Sequence, residues 1–237
     1  AKRLDQARRI LPACEVAMLF LLHRLLLVVL ISASASVAAQ PANDDKTRFI
    51  GERGGNSLVV FVHGIGGTAD STWGAPGKSW PDLVKKDTEF FGGFDVFVYD
   101  YPSAIFGQSQ PVAQLGRRLR DRLSRDDVKI SQYENVVFVT HSLGGIVVRE
   151  YILDNLENST NVLGVFAFAA PMDGSHLANI ASTFGRSDTI VELRNSTSAE
   201  GYVSKLIDRW IGKRPAIPIR NWCGYETKPL FGLLGEY

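Results

Sequence analysis

Cysteine, excess charge of either sign and long unbroken apolar runs are all scarce in this sequence, and each scarcity removes a class of protein. Only two cysteines occur in 237 residues, Cys14 and Cys223. Neither a disulfide framework nor a thiolate metal site is expected, and stability has to come from packing. Lysine and arginine number 26 against 25 for aspartate and glutamate, a net charge of +1. A nucleic-acid binder held by a basic surface is excluded on that balance. Setting aside the five basic and two acidic residues of the first 39 leaves 21 and 23, a net charge of −2 for the remainder. Histidine is scarcer still, with four in all: His23, His63, His141 and His176. No internal repeat or low-complexity tract is visible, and a hydrophobic fraction of 45% suffices for one sizeable core.

Residues 18–39 read MLFLLHRLLLVVLISASASVAA. His23 and Arg24 interrupt the apolar stretch, which leaves too short a run for the roughly 20 residues of a membrane span. Leu25 to Ile31 followed by small residues ending in Val37-Ala38-Ala39 fits a cleaved signal peptide. An uncleaved anchor is the alternative, and either places the chain outside the cytoplasm, secreted, periplasmic or tethered to a membrane. Met18 would open a leader of ordinary length, and residues 1–17 then read as upstream sequence. Residues 40–48 follow as a polar linker, and 49–237 as one domain.

From Phe49 onward, apolar runs alternate with helical patterns. Strands are expected at Leu58 to Val62, Phe94 to Tyr99, Val136 to Thr140 and Val162 to Ala169. A weaker one is expected at Ile217 to Cys223, where Pro218 suits an edge or a strand start. Helices are expected at Trp80 to Lys86 behind Ser79 as N-cap, at Pro111 to Leu123, and at Leu143 to Leu156. In the second of these, Val112, Leu115, Leu119 and Leu123 share one face, and the arginines around them read as a solvated one. Val203, Leu206, Ile207, Trp210 and Ile211 form another helical face inside residues 179–215, as a cover over the sheet or as a lid. Nearly continuous apolar strands separated by helices mean a parallel sheet covered on both sides, an α/β fold.

The stretch NVVFVTHSLGGIVVRE, Asn135 to Glu150, carries the chemistry. A buried strand, a tight turn with Ser142 at its apex and an amphipathic helix together make the setting of a nucleophile elbow. Gly144 keeps the turn narrow, whereas Thr140 stands where a glycine is usual. The helix start directs free N–H groups at a developing oxyanion, and Leu143 N–H is the first donor. Upstream, His63-Gly64-Ile65-Gly66-Gly67 ends an earlier strand. Its glycines let backbone approach a substrate oxygen, and Ile65 N–H is assigned as the second donor.

These residues resemble the α/β-hydrolase superfamily, within its lipase-like serine esterases, in the branch of the GPI inositol-deacylase-like and serine-active-site-containing proteins. The resemblance runs from Leu58 to the C-terminus. It is carried by FVHGIGGT with Ser71-Thr72-Trp73, by Ser79-Trp80-Pro81, by VFVYDYPS and by FVTHSLGGIVVRE. Ala170-Pro171-Met172-Asp173-Gly174-Ser175 and Gly224-Tyr225-Glu226-Thr227-Lys228-Pro229 complete it. It implies hydrolysis of carboxylic esters, lipids or other acyl substrates, through an acyl-enzyme without metal or organic cofactor. In this fold the chain order is serine, acid, histidine. Glu226, just past the fifth strand, is the acid, with Asp173 and Asp188 as alternatives that read as a turn residue and a helix cap. For the base, His63 is expected to brace its loop and His141 to pack beneath the elbow. His176 is then the remaining candidate, in a position directly after the fourth strand that does not suit the expected base. The resemblance implies instead that the histidine lies beyond Tyr237, with a last strand and helix that this sequence lacks. A binding domain that kept the fold without the triad, or an acyltransferase using the same serine, are the other functional readings.

Overall fold

The computed structural model describes residues 46–52, 54–104, 109–170, 188–195, 201–213 and 218–224. The leader, residues 40–45, Asp173, His176 and Glu226 lie outside them. Six strands are described: β1 (Arg48–Gly51), β2 (Ser57–Val62), β3 (Phe94–Tyr99), β4 (Asn135–His141), β5 (Val162–Phe168) and β6 (Arg220–Gly224). They form one sheet in the order β1-β3-β2-β4-β5-β6. All neighbours run parallel except β1, which pairs antiparallel with β3. Each strand expected from its apolar run is present, β3 with the expected bounds and the others with ends within three residues of them. Pro218 falls just outside β6, where its missing N–H costs the ladder nothing. The short β1 was not anticipated, and its Arg48 belongs to the stretch read as linker.

Alternation along the central strands splits the interior in two. Leu58, Val60 and Val62 of β2 join Phe97, Tyr99, Val136 and Phe138 in the larger cluster, under α2 (Val112–Leu123) and α3 (Leu143–Asp154). Val59 and Phe61 join Val96, Val98, Ala69 and Trp73 in the smaller one, under α1 (Trp80–Lys86). Helix α1 begins as expected at Ser79, whose hydroxyl and the Asp82 carboxylate form a reciprocal capping box. The path from β2 to β3 steps to one side, and β4 returns to the other side of β2. The carboxyl ends of β2 and β4 therefore flank a topological switch point, where open α/β sheets bind ligands.

Two further helices, α4 (Asp188–Asn195) and α5 (Tyr202–Lys213), bury Ile190, Leu193, Val203, Leu206 and Trp210 in the larger cluster. Ile211, expected on that buried face, is exposed because it lies one step around the helix from Trp210. Helix α4 is fastened by reciprocal capping. Pro111 at the N-cap of α2 offers no side-chain acceptor, and Glu192 supplies one by accepting Val112 N–H at 2.8 Å. In return, Ser109 Oγ accepts Thr189 N–H at 2.8 Å, and Thr189 Oγ1 donates to the Gln110 carbonyl at 2.7 Å. Helix α5 is held through Glu150 of α3, which accepts from the Tyr202 hydroxyl and lies 3.5 Å from Arg209.

Burial pushes the carboxyls of Glu150 and Glu192 above the ordinary range. The bonds from Tyr202 and Val112 offset part of this, while Asp154 raises Glu150 and Glu150 raises Glu192. A carboxyl with a raised folded value favours the fold when protonated. Its contribution is full below 4.5, the ordinary value, and is lost as pH rises through the raised one. The thermal midpoint is therefore expected to fall from about pH 4.5 to about pH 7.5 more steeply in the native protein than in Glu192→Gln, which keeps an acceptor oxygen without the charge. Circular dichroism melts across that range check it; equal slopes would remove Glu192 from the account.

Candidate active site

Ser142 joins β4 to α3 with φ 50° and ψ −121°, in the left-handed region that a non-glycine residue enters at a cost of about 1–3 kcal/mol. Its N–H donates to the Phe168 carbonyl at the end of β5, at 2.9 Å, and its carbonyl accepts from Gly145 N–H at 3.1 Å. Only 4% of its surface is exposed. Leu143 opens the helix, so its N–H belongs to the first turn, which has no acceptor within the helix. Gly144 explains how the helix comes so close. A Cβ there would run into the carbonyl oxygens of Val62 and His63 at the end of β2. Thr140, standing where a glycine is usual, is accommodated by turning its hydroxyl to the Phe166 carbonyl at 3.3 Å.

The loop after β2 meets the elbow directly. A Cβ on Gly64 would lie 2.8 Å from Ser142 Cβ and 2.9 Å from His141 Nδ1, so only glycine lets the two segments touch. Ile65 follows within this loop and is nearly buried. The structure thus brings together Ser142, Leu143 and the Ile65 loop. His176 and Glu226 lie outside the described residues, although Glu226 follows Gly224, the end of β6, by two positions. Of the alternative acids, Asp188 is the first residue of α4, and Asp173 is not described.

His63 braces the loop, and the loop after β3 shares the task. The fully buried imidazole stacks on Tyr101 with ring centroids 4.3 Å apart. Its Nδ1 contacts the Gly64 carbonyl at 2.9 Å, and its Nε2 accepts Tyr101 N–H at 3.1 Å. A carbonyl can only accept, so the Gly64 contact places a proton on Nδ1. Asp100 Oδ1 lies 3.3 Å from Nε2 and accepts Ala69 N–H at 2.7 Å; burial raises its carboxyl, but the bonds from His63 and Ala69 outweigh that and hold it below the ordinary range. The Tyr101 hydroxyl donates to the His63 carbonyl at 2.8 Å, and burial raises its pKa well above the ordinary value. Ser103 completes the tie: its carbonyl accepts Gly66 N–H at 2.7 Å, and its hydroxyl donates to the Gly67 carbonyl at 3.0 Å. Sequence reasoning assigned no role to Asp100, Tyr101 or Ser103, although the motif VFVYDYPS contains all three.

The absence of room at Gly144 gives a direct test. Gly144→Ala is expected to destabilise the fold by about 1–3 kcal/mol, because backbone carbonyls rather than movable side chains block the methyl. Gly212→Ala in α5, where a Cβ meets nothing within 4 Å, is expected to stabilise by up to about 1 kcal/mol. Urea denaturation midpoints separate the two, and a neutral Gly144→Ala would refute the close crossing.

Comparison with solved structures shows the same architecture. A Bacillus licheniformis lipase, BlEst2, in mature form matches with a TM-score of 0.50 and 18% identity, covering 70% of this chain and 64% of that one. The phospholipase PlaB of Legionella pneumophila matches with a TM-score of 0.53 and 17% identity, over 73% of this chain and 39% of that one. Its complex with thio-NAD gives a TM-score of 0.57 and 18% identity, over 73% and 38%. The chain thus spans less than two thirds of the length of each, and at these identities the likeness is one of fold. No curated protein sequence matches the chain. The description Alpha/beta hydrolase family matches residues 59–231, well over half of the sequence, from β2 through the elbow and past β6. A mostly parallel sheet, a strained serine at its switch point and that match agree: the chain belongs to the alpha/beta hydrolase family.

Proposed function

We propose that this hydrolase cleaves carboxylic esters, of lipids or other acyl compounds, with Ser142 as nucleophile. The observation that supports it most is the strained Ser142 in contact with Gly64, which joins a serine and a glycine-rich loop at the carboxyl ends of β4 and β2. In this reading Ser142 Oγ attacks the ester carbonyl carbon and gives up its proton to a histidine. The oxyanion accepts hydrogen bonds from Ile65 N–H and Leu143 N–H. Collapse of the tetrahedral species releases the alcohol, which takes the proton, and leaves an acyl-enzyme that water hydrolyses by the same steps. Glu226 orients the base, and His176 is the histidine of this sequence that follows Ser142. No metal or organic cofactor takes part. Residues 18–39 act as leader or anchor, so the reaction takes place outside the cytoplasm.

Labelling by a fluorophosphonate probe tests the reading. The native protein is expected to react, and Ser142→Ala to lose both the label and about three or more orders of magnitude of ester hydrolysis. If His176 is the base, His176→Ala abolishes labelling too; retention of the label assigns the base to another histidine. A folded native protein that neither labels nor cleaves any ester would leave a binding domain as the better description.

A further inference from the structure

The elbow has an aromatic neighbour that the mechanism above does not use. Phe168, the last residue of β5, holds Ser142 N–H with its carbonyl at 2.9 Å and is the register partner of His141. Its ring is backed by β6, since a Cβ on Gly224 would lie 2.6 Å from Phe168 Cδ1. That ring also meets Trp80 edge to face, with centroids 4.9 Å apart and planes at 83°. Trp80 is itself held in place: its N–H donates to the Trp73 carbonyl at 2.9 Å, its ring lies 6.3 Å from that of Trp73, and the Ser79–Asp82 capping box fixes its backbone. Even so, 46% of Trp80 is exposed. Among the described residues it is the exposed large aromatic with a ring contact to a residue bonded to Ser142. A rigid aromatic surface left half in water, one ring contact away from the residue that holds Ser142, gains most by covering itself with hydrocarbon.

Resting on the reading of Ser142 as nucleophile, we propose that Trp80 and Phe168 form the wall along which the acyl chain of the substrate lies, and that they set a preference for alkyl over short acyl groups. Each methylene that leaves water for this wall adds binding energy, up to about 0.8 kcal/mol when fully buried. Burial against a single wall yields a fraction of that per methylene.

The test compares rates of Ser142 modification by fluorophosphonates carrying ethyl and hexyl tails. The native protein is expected to favour hexyl by about tenfold or more, given four added methylenes in partial contact. Trp80→Ala should bring that ratio to within about twofold of unity, Trp80→Phe should keep most of it, and Phe90→Ala, a change at a distant exposed ring, should keep all of it. Circular dichroism confirms that each variant is folded. A hexyl preference that survives Trp80→Ala overturns the wall and leaves the nucleophile standing. Failure of both reagents to label Ser142 in the folded native protein overturns the nucleophile itself, and the wall with it.

Discussion

The arrangement depends on two backbone segments meeting with no long side chain between them. The end of β2 and the β4–α3 turn converge where Gly144 lies against the Val62 and His63 carbonyls and Gly64 against Ser142. A methyl at either glycine would lever α3 away from the sheet and carry Ser142 with it. Close packing of this kind is set by excluded volume, so it is satisfied or violated as a whole and does not relax gradually. Ser142 is therefore positioned by the core of the fold.

How far the sequence discloses this depends on the range of the interactions. Strand β2 is legible because both its faces are buried, which demands the unbroken apolar run at 58–62, and β4 because its run of apolar residues at 136–139 is buried on one face and half-buried on the other. The elbow is legible because its steric demand falls on adjacent residues, Ser142 to Gly145. Strand β1 escaped because four residues on an antiparallel edge, one of them buried, carry no pattern long enough to read. Glu192 escaped for a different reason. Its partner is the N–H of Val112, 80 positions away, and a cap supplied from that distance has no local signature. Asp100, Tyr101 and Ser103 are similar, since they act across 31 to 38 residues on Ala69, His63 and Gly67. Local rules found the serine, but the props that hold its neighbouring loop come from tertiary contact.

Buried polar groups serve opposite ends in the two halves of the molecule. Around His63 the imidazole, the Tyr101 and Ser103 hydroxyls and the Asp100 carboxylate each have a defined partner. Around Glu150 and Glu192 two carboxyls with raised pKa share a region with Asp154 and the single guanidinium of Arg209 that pairs with Glu150. Their ionisation works against the packing of α4 and α5. The helices that cover the larger core are thus held through carboxyls whose ionisation opposes their burial.

The strain at Ser142 has a counterpart one strand away. Ala169 also adopts φ 50°, immediately after β5, as Ser142 does after β4. Each is held by the next strand: Ser142 N–H by the Phe168 carbonyl, and Ala169 N–H by the Gly224 carbonyl at 2.9 Å. The two ties form a staircase in which β5 supports the elbow and β6 supports β5. A left-handed backbone at a non-glycine residue persists only when its surroundings over-determine it. Here the over-determination comes from ladder hydrogen bonds continued one step past the ends of the strands. Loss of β6 would thus release Ala169 first and weaken the hold on Phe168. Because the Phe168 carbonyl anchors Ser142 and its ring meets Trp80, the geometry of Ser142 and the Phe168–Trp80 contact both depend on β5 and its support by β6.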